Sequence, residues 1–144
     1  MNDEIKKDPN MQGRGYLVVR VSTASGAIPL ENALVAVRGG EEANSDFYRS
    51  FYSGASGLTE KIALPAPVRS LTDSPSKNGE KPYALYSIDV FADGYQDLFF
   101  VNVPIFDTIT AIQGANMIPK SENKYADSFD PYSNQIVEGE NPEL

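Results

Sequence analysis

Cysteine and histidine are both absent from the 144 residues of this chain. Without cysteine there are no disulfides and no thiolate metal sites. Without histidine the chain lacks the commonest general base, the commonest zinc ligand and the usual pH switch. Catalytic triads of the Ser-His-Asp or Cys-His kind are therefore excluded.

Positive charge is also scarce. Twelve Lys and Arg residues stand against twenty Asp and Glu, which leaves a formal net charge of -8, and no local basic patch is evident along the sequence. Such a chain repels a phosphate backbone, so no nucleic-acid partner is expected. Neither an apolar run of about 18 residues nor an N-terminal apolar stretch of signal-peptide type is present, so no membrane insertion is expected.

Short segments rich in β-branched and aromatic residues make up most of the chain, separated by clusters of Gly, Pro, Asn and Asp. This pattern is typical of an all-β sandwich. We expect the sandwich to span residues 16–119. Residues 1–15 are polar and without apolar period, which predicts a flexible leader, and the acidic residues 120–144 predict a disordered tail.

Seven strands are predicted, each with alternating apolar residues that form one buried face. The connection 65–82 carries four prolines and is either a binding loop or the cross-sheet connection of a Greek key. Gly114 suggests a bulge in the last strand. The strands are 16–23, 33–39, 46–54, 57–65, 83–91, 97–103 and 108–119. The expected core comprises Leu17, Val19, Val21, Ala33, Val35, Val37, Leu58, Ile62, Leu64, Tyr86, Ile88, Val90, Leu98, Phe100, Ile109, Ile112 and Met117.

The stretch VFADGYQDLFFV, residues 90–101, reads as a hairpin. A three-residue loop with Gly94 in the left-handed conformation would set Val90 opposite Gln96. The same loop would set Ile88 opposite Leu98 and Tyr86 opposite Phe100. A two-residue turn would instead slip the register by one and turn Phe99 and Val101 inward. We prefer the first register because it buries the larger continuous apolar set.

Two carboxylates, Asp93 and Asp97, flank this turn. A two-carboxylate glycosidase would need such groups about 5 to 9.5 Å apart in a cleft, one of them with a raised pKa. At an exposed turn neither group is desolvated, so we interpret Asp93 as a turn former and Asp97 as a solvated charge at a strand end.

Three segments resemble parts of the carboxypeptidase regulatory-like domains. VSTASGAIPLENALVAV resembles their first hairpin, GASGLTEKIALP their middle strand and YSIDVFADGY their penultimate strand with its Gly-Tyr pair. The resemblance covers residues 15–119 and implies a seven-stranded Greek-key sandwich similar to transthyretin (prealbumin). Such domains are typically non-catalytic accessory modules of secreted and cell-envelope proteins. NVPIFDTITAIQGANMIP resembles the end of such modules in Gram-positive bacteria, some linked to the cell wall or spores.

The sequence lacks the residues that three kinds of chemistry on related folds require. The hydroxyisourate hydrolase of the transthyretin fold depends on histidines and a Tyr-Arg-Gly-Ser end, both missing here. A Lys-Asn isopeptide bond could use Asn116, but the first strand offers Arg20, whose guanidinium cannot be deprotonated. Residues 127–134 contain oxygen ligands without the spacing of a calcium loop. We therefore expect no catalytic residues, metal or cofactor, and a chain that is not an enzyme.

An apolar outer surface is the most informative anomaly. The preferred register places Leu85, Phe91, Phe99 and Val101 on the outer face of one sheet, and Tyr48 and Tyr52 extend this patch if their strand joins the same sheet. Exposed apolar patches of this kind mark interfaces, unless a loop or tail covers them.

This surface predicts a binding or structural module that engages a protein or glycan, with an envelope, extracellular or spore setting implied by the family resemblance. The alternatives are a self-assembling homo-oligomer of a surface, spore or phage structure, and a carboxylate-dependent glycan hydrolase.

Overall fold

A computed structural model describes residues 11–68, 81–121 and 135–138. These residues form nine β-segments and a short 3-10 turn at Glu42–Asn44, with no α-helix among them. The strands are β1 (Gly13–Thr23), β2 (Ile28–Pro29), β3 (Leu34–Gly39), β4 (Tyr48–Tyr52), β5 (Ile62–Ala66), β6 (Tyr83–Phe91), β7 (Leu98–Phe106), β8 (Thr110–Met117) and β9 (Gln135–Glu138).

The strands form two sheets that share one core, which confirms the predicted all-β sandwich. In the four-stranded sheet β1 is central: β8 pairs with it in parallel along one edge, while β5 and β2 pair antiparallel along the other. The five-stranded sheet has the order β4-β3-β6-β7-β9, antiparallel except for the last pair. The predicted count of seven omitted the short β2 and β9, and Greek-key connectivity stays a prediction.

The core follows the alternation expected for β1, β3 and β6. Their inward side chains are fully buried, and the burial of each large apolar side chain stabilises the fold by roughly 1.5 to 3 kcal/mol. Tyr86 also links the two sheets, because its hydroxyl on β6 donates a hydrogen bond to the Pro65 carbonyl on β5 at 2.5 Å. The fully buried residues on these three strands are Leu17, Val19, Val21, Val35, Val37, Ala84, Tyr86, Ile88 and Val90.

Three predicted core residues lie outside the core: Leu58 is 41% exposed and Ile112 70% exposed, and Ile109 is half-buried. Leu58 lies ahead of β5, in an isolated bridge opposite Arg20. Ile112 pairs with Val18 in a register that continues without interruption to the end of β8, so the bulge predicted at Gly114 does not occur. Without a bulge, Ile112 and the buried Met117 must lie on opposite faces.

Strand structure extends past both ends of the predicted sandwich, residues 16–119, and the division into domains stays a prediction. At the N-terminal end β1 begins at Gly13, and Met11 is buried in the core, so residues 11–15 of the expected flexible leader are structured. Within the expected disordered tail, β9 pairs in parallel with β7. Residues 1–10 of the leader, 69–80 of the Pro-rich connection, and 122–134 and 139–144 of the tail lie outside the described residues.

The hairpin register differs from the prediction by two residues. Val90 is opposite Leu98 and Ile88 is opposite Phe100. An even shift preserves the faces, so Leu98 and Phe100 are buried as predicted. The shift arises because Tyr95 leaves the hairpin to bridge Pro119, which lengthens the connection.

A second irregularity lies farther along the same pair of strands. The register shifts between Tyr86 and Ile88, and on β7 Asn102 adopts a positive φ of 59°. Val103 is thereby brought opposite Tyr86 and into the core. Because of this bulge, β7 turns apolar side chains toward the core both before and after Asn102.

Candidate functional site

An apolar row crosses the outer face of the five-stranded sheet at one end. The strand register places Tyr52, Leu34 and Phe91 side by side on β4, β3 and β6. Phe99 on β7 meets Phe91 edge to face, with ring centroids 6.0 Å apart. Tyr52 is 65% exposed, and the other three are half-buried. We call these four residues the aromatic row.

All six residues predicted for a binding surface lie on the strands of this one sheet, at outward positions. Tyr48 and Tyr52 are well exposed, at 62% and 65%. The other four are half-buried rather than open: Leu85, Phe91, Phe99 and Val101. Their shared face is thus as expected, and their role in binding stays a prediction.

An ion pair divides this face, and sequence reasoning missed it. Arg38 on β3 holds Asp89 on β6 in a bidentate contact, with Nε to Oδ2 at 3.1 Å and Nη2 to Oδ1 at 3.0 Å. The hydrogen bond to Asp89 raises the pKa of Arg38 above its ordinary value. Both residues alternate outward on their strands, but only the pairing of β3 with β6 brings them together.

A cleft of about 550 Å³ opens beside the aromatic row. The segment before β3 forms one wall, and the corner between β6 and β7 forms another. Leu34 and Phe91 belong both to the row and to the cleft, so the two surfaces are continuous. The cleft is lined by Leu30, Glu31, Asn32, Leu34, Phe91, Ala92, Asp93, Gly94, Tyr95, Asp97 and Lys120.

Charge in the cleft is mostly negative. Glu31, Asp93 and Asp97 contribute carboxylates, and Lys120 contributes one cation. We interpreted Asp93 as a turn former and Asp97 as a solvated charge at a strand end, and the structure places both on the lining of one cleft. Asp93 is exposed and Asp97 half-buried. Such a cleft favours hydroxyl donors or cationic groups over anions.

Backbone hydrogen bonds hold the corner of the cleft in place. Gly94 adopts the left-handed conformation predicted for it, with φ of 85°. Its carbonyl accepts the Lys120 N–H at 2.9 Å, and the Gln96 N–H donates to the Ile118 carbonyl at 2.8 Å. These bonds tie the β6–β7 connection to the chain that leaves β8.

The opposite wall is held by Ser53. Asn32 has a positive φ of 66° and donates its N–H to the Ser53 carbonyl at 2.8 Å. The Ser53 hydroxyl accepts the Ala33 N–H at 2.9 Å and donates to the Leu30 carbonyl at 2.7 Å. Since Ser53 is buried, its hydrogen bonds fix the segment from Leu30 to Ala33.

Among the described residues, no three carboxylates lie close enough together to hold a metal ion. In the same part of the chain no helix could cross a bilayer.

No family model matches the sequence, and no curated protein matches it. Solved structures do. Catechol 1,2-dioxygenase from Acinetobacter sp. ADP1 is similar over 90% of this chain and 60% of its own, with a TM-score of 0.53 and 14% identity. The Bacillus anthracis TIE protein is similar over 74% of this chain and 17% of its own, with a TM-score of 0.50 and 14% identity.

A minor pilin from Streptococcus agalactiae is a further similar structure, over 79% of this chain and 48% of its own, with a TM-score of 0.50 and 13% identity. This chain therefore spans 17% to 60% of the length of these three structures. At such low identity the likeness shows a shared fold alone.

The dioxygenase match corrects one prediction. We expected a chain that is not an enzyme, and the likeness to catechol 1,2-dioxygenase contradicts that expectation, because a sandwich of this kind occurs within an enzyme. The expectation drew on the absence of His and Cys and on a resemblance to accessory modules. Neither observation excludes catalysis by the fold.

Proposed function

We propose that this chain is a binding and structural module of a bacterial cell-envelope or spore protein, built on a transthyretin-like sandwich. It engages a protein or glycan partner through the aromatic row and the adjoining cleft. The observation that carries this proposal is the continuity of the two surfaces through Leu34 and Phe91. The minor pilin and the TIE protein among the similar structures support the structural role at the level of fold.

The chemistry of the surface narrows the partner. Aromatic rings such as Tyr52 and Phe99 present flat apolar faces that pack on apolar side chains or on sugar rings. The carboxylates of the cleft accept hydrogen bonds from hydroxyl or amino groups. A phosphate-rich partner is disfavoured, because Lys120 is the single cation among the residues that line the cleft.

Replacing Phe99 by Glu tests the proposal, because it places a charge in the aromatic row. The matched control is Ile28→Glu, since Ile28 is 53% exposed on β2, away from the row. Light scattering measures the mass of each protein, and sedimentation with purified peptidoglycan and a soluble glycan panel measures binding. Circular dichroism verifies that both variants fold.

Three outcomes are distinguishable. A monomer that binds glycans, with binding lost in Phe99→Glu and kept in Ile28→Glu, supports recognition. A stable oligomer that Phe99→Glu abolishes supports assembly through the same surface. If Phe99→Glu and the parent chain behave alike in both assays, the aromatic row is not the functional surface and the proposal fails.

A further inference from the structure

The outer face of the four-stranded sheet carries cations around an apolar centre. Arg14, Tyr16, Val18 and Arg20 occupy successive outward positions on β1, about 6.6 Å apart along the strand. Lys61 lies over the Tyr16 ring, with Nζ 4.8 Å from its centroid. In the parallel register Ile112 is beside Val18 and is 70% exposed. We call this surface the basic face; it comprises Arg14, Tyr16, Val18, Arg20, Lys61 and Ile112.

The cations of the basic face lack ion-pair partners among the described residues, where the ion pairs are Arg38–Asp89 and Lys81–Glu41. Two acids lie near the face. Glu60 is exposed beside Lys61 in sequence, and Asp107 accepts the Arg14 backbone N–H at 2.9 Å. In a chain of net charge -8, cations without a described ion-pair partner, gathered around the half-buried Tyr16 and Val18 and the exposed Ile112, favour an acidic partner.

No basic patch was evident in the sequence, because the three cations are spread from residue 14 to residue 61. Antiparallel pairing of β1 with β5 brings them to one face: Tyr16 is opposite Ala63, and Lys61 precedes β5 directly. The patch is therefore a product of strand pairing.

The aromatic row and cleft have the opposite arrangement. There the apolar centre is Tyr52, Leu34 and Phe91, and the acids at its border are Glu31, Asp93 and Asp97, with Lys120 as the one cation among the cleft residues. One surface is apolar with a basic border, and the other is apolar with an acidic border. They belong to opposite sheets of the sandwich, so one copy can use both at once.

We infer that the partner is a second copy of this chain, whose basic face docks on the aromatic row and cleft of its neighbour. This inference rests on the proposed function, in which the row and cleft engage a partner. Apolar residues meet at the centre, and charges of opposite sign meet at the border. The contact joins two different surfaces, so it is heterologous and adds copies head to tail into a line or ring.

Single charge reversals at exposed positions test the inference. Arg20→Glu makes the basic face less positive, and Asp93→Lys makes the cleft less negative. The matched controls are Arg49→Glu and Asp46→Lys, which change the net charge equally at exposed positions outside both surfaces. Sedimentation velocity over a concentration series, at low and high salt, measures the association of each protein.

We expect the parent chain to self-associate at low salt and to dissociate as salt rises, because border charges are screened. Arg20→Glu and Asp93→Lys should each weaken association at least about tenfold, and the two controls should not. An equimolar mixture of Arg20→Glu with Asp93→Lys should regain association, since each supplies the intact surface that the other lacks.

Two results would overturn the inference. A parent chain that stays monomeric at low salt rules out head-to-tail docking, and glycan binding lost in Phe99→Glu would then leave the proposed function standing. Association that Phe99→Glu abolishes but neither charge reversal weakens would show that copies meet row to row. In that case the row still engages a partner, and the basic face has no part in it.

Discussion

Removing the hydroxyl of Tyr86 tests how the two sheets are held together. The ring is fully buried, and its hydroxyl on β6 donates to the Pro65 carbonyl on β5. Tyr86→Phe keeps the ring, including its edge-to-face contact with Phe47, and removes the hydroxyl, with this hydrogen bond and the contact to the Asn44 side chain. We expect a loss of about 1 to 2 kcal/mol in the free energy of unfolding, because the Pro65 carbonyl is left without its partner.

The same hydroxyl makes stability depend on alkaline pH. Burial raises the pKa of Tyr86 from 10.0 to about 12, since the phenolate is disfavoured away from water, although the Asn44 side chain opposes the shift. The folded chain therefore holds this proton more tightly than the unfolded chain does. The stability that the protonated Tyr86 hydroxyl contributes is fully present below pH 10 and is lost as the pH rises through 12. At about pH 11 the loss reaches roughly 1.4 kcal/mol.

Urea unfolding at about pH 8 and about pH 11 measures both effects, for the parent chain, Tyr86→Phe and the control Tyr52→Phe. Tyr52 is 65% exposed, so removing its hydroxyl should change the free energy of unfolding little. The destabilisation by Tyr86→Phe should shrink at the higher pH, because the parent chain then loses the contribution that the variant never had. If parent and Tyr86→Phe lose equal stability between the two pH values, Tyr86 does not hold its proton as argued.

Two further predictions concern the strands themselves. Gly39→Ala should lower the free energy of unfolding by more than about 2 kcal/mol, because a Cβ there would collide with the Asn44 backbone. Gly114→Ala places its Cβ in open space and should change the free energy of unfolding little. Equal melting temperatures for the two variants would contradict this prediction. Ending the chain at Ser121 removes β9 and should leave the sandwich folded, because Met117 is the last core residue in the described part of the chain. Hydrogen exchange should then speed up in β7 between Leu98 and Val101, and unchanged rates there would show that β9 does not protect this edge.

Amino-acid composition alone does not decide whether a chain is an enzyme. The absence of His and Cys excludes particular mechanisms, and that conclusion rests on chemistry alone. It gives no information about the reactions that a fold supports elsewhere, and the same sandwich occurs within catechol 1,2-dioxygenase. Function resides in a site rather than in a fold, so any chemistry would have to be argued from particular side chains and not from this likeness.

Local alternation was readable from the sequence, and it determined most of the core. Along β6, Tyr86, Ile88 and Val90 alternate with less apolar residues, and all three are buried as predicted. Ile112 shows where this approach stops. Its segment fits either of two faces, and only the uninterrupted parallel pairing of β8 with β1 decides between them.

The sequence by itself determined the class of fold, the inward faces of the main strands and the left-handed turn at Gly94, because each depends on residues close together in the chain. Tertiary structure alone decided the ion pair of Arg38 with Asp89, the cleft shared by Asp93 and Glu31, and the basic face. Each of these joins segments that are far apart in the chain. Their meeting depends on strand order and register, which the packing of the whole core selects.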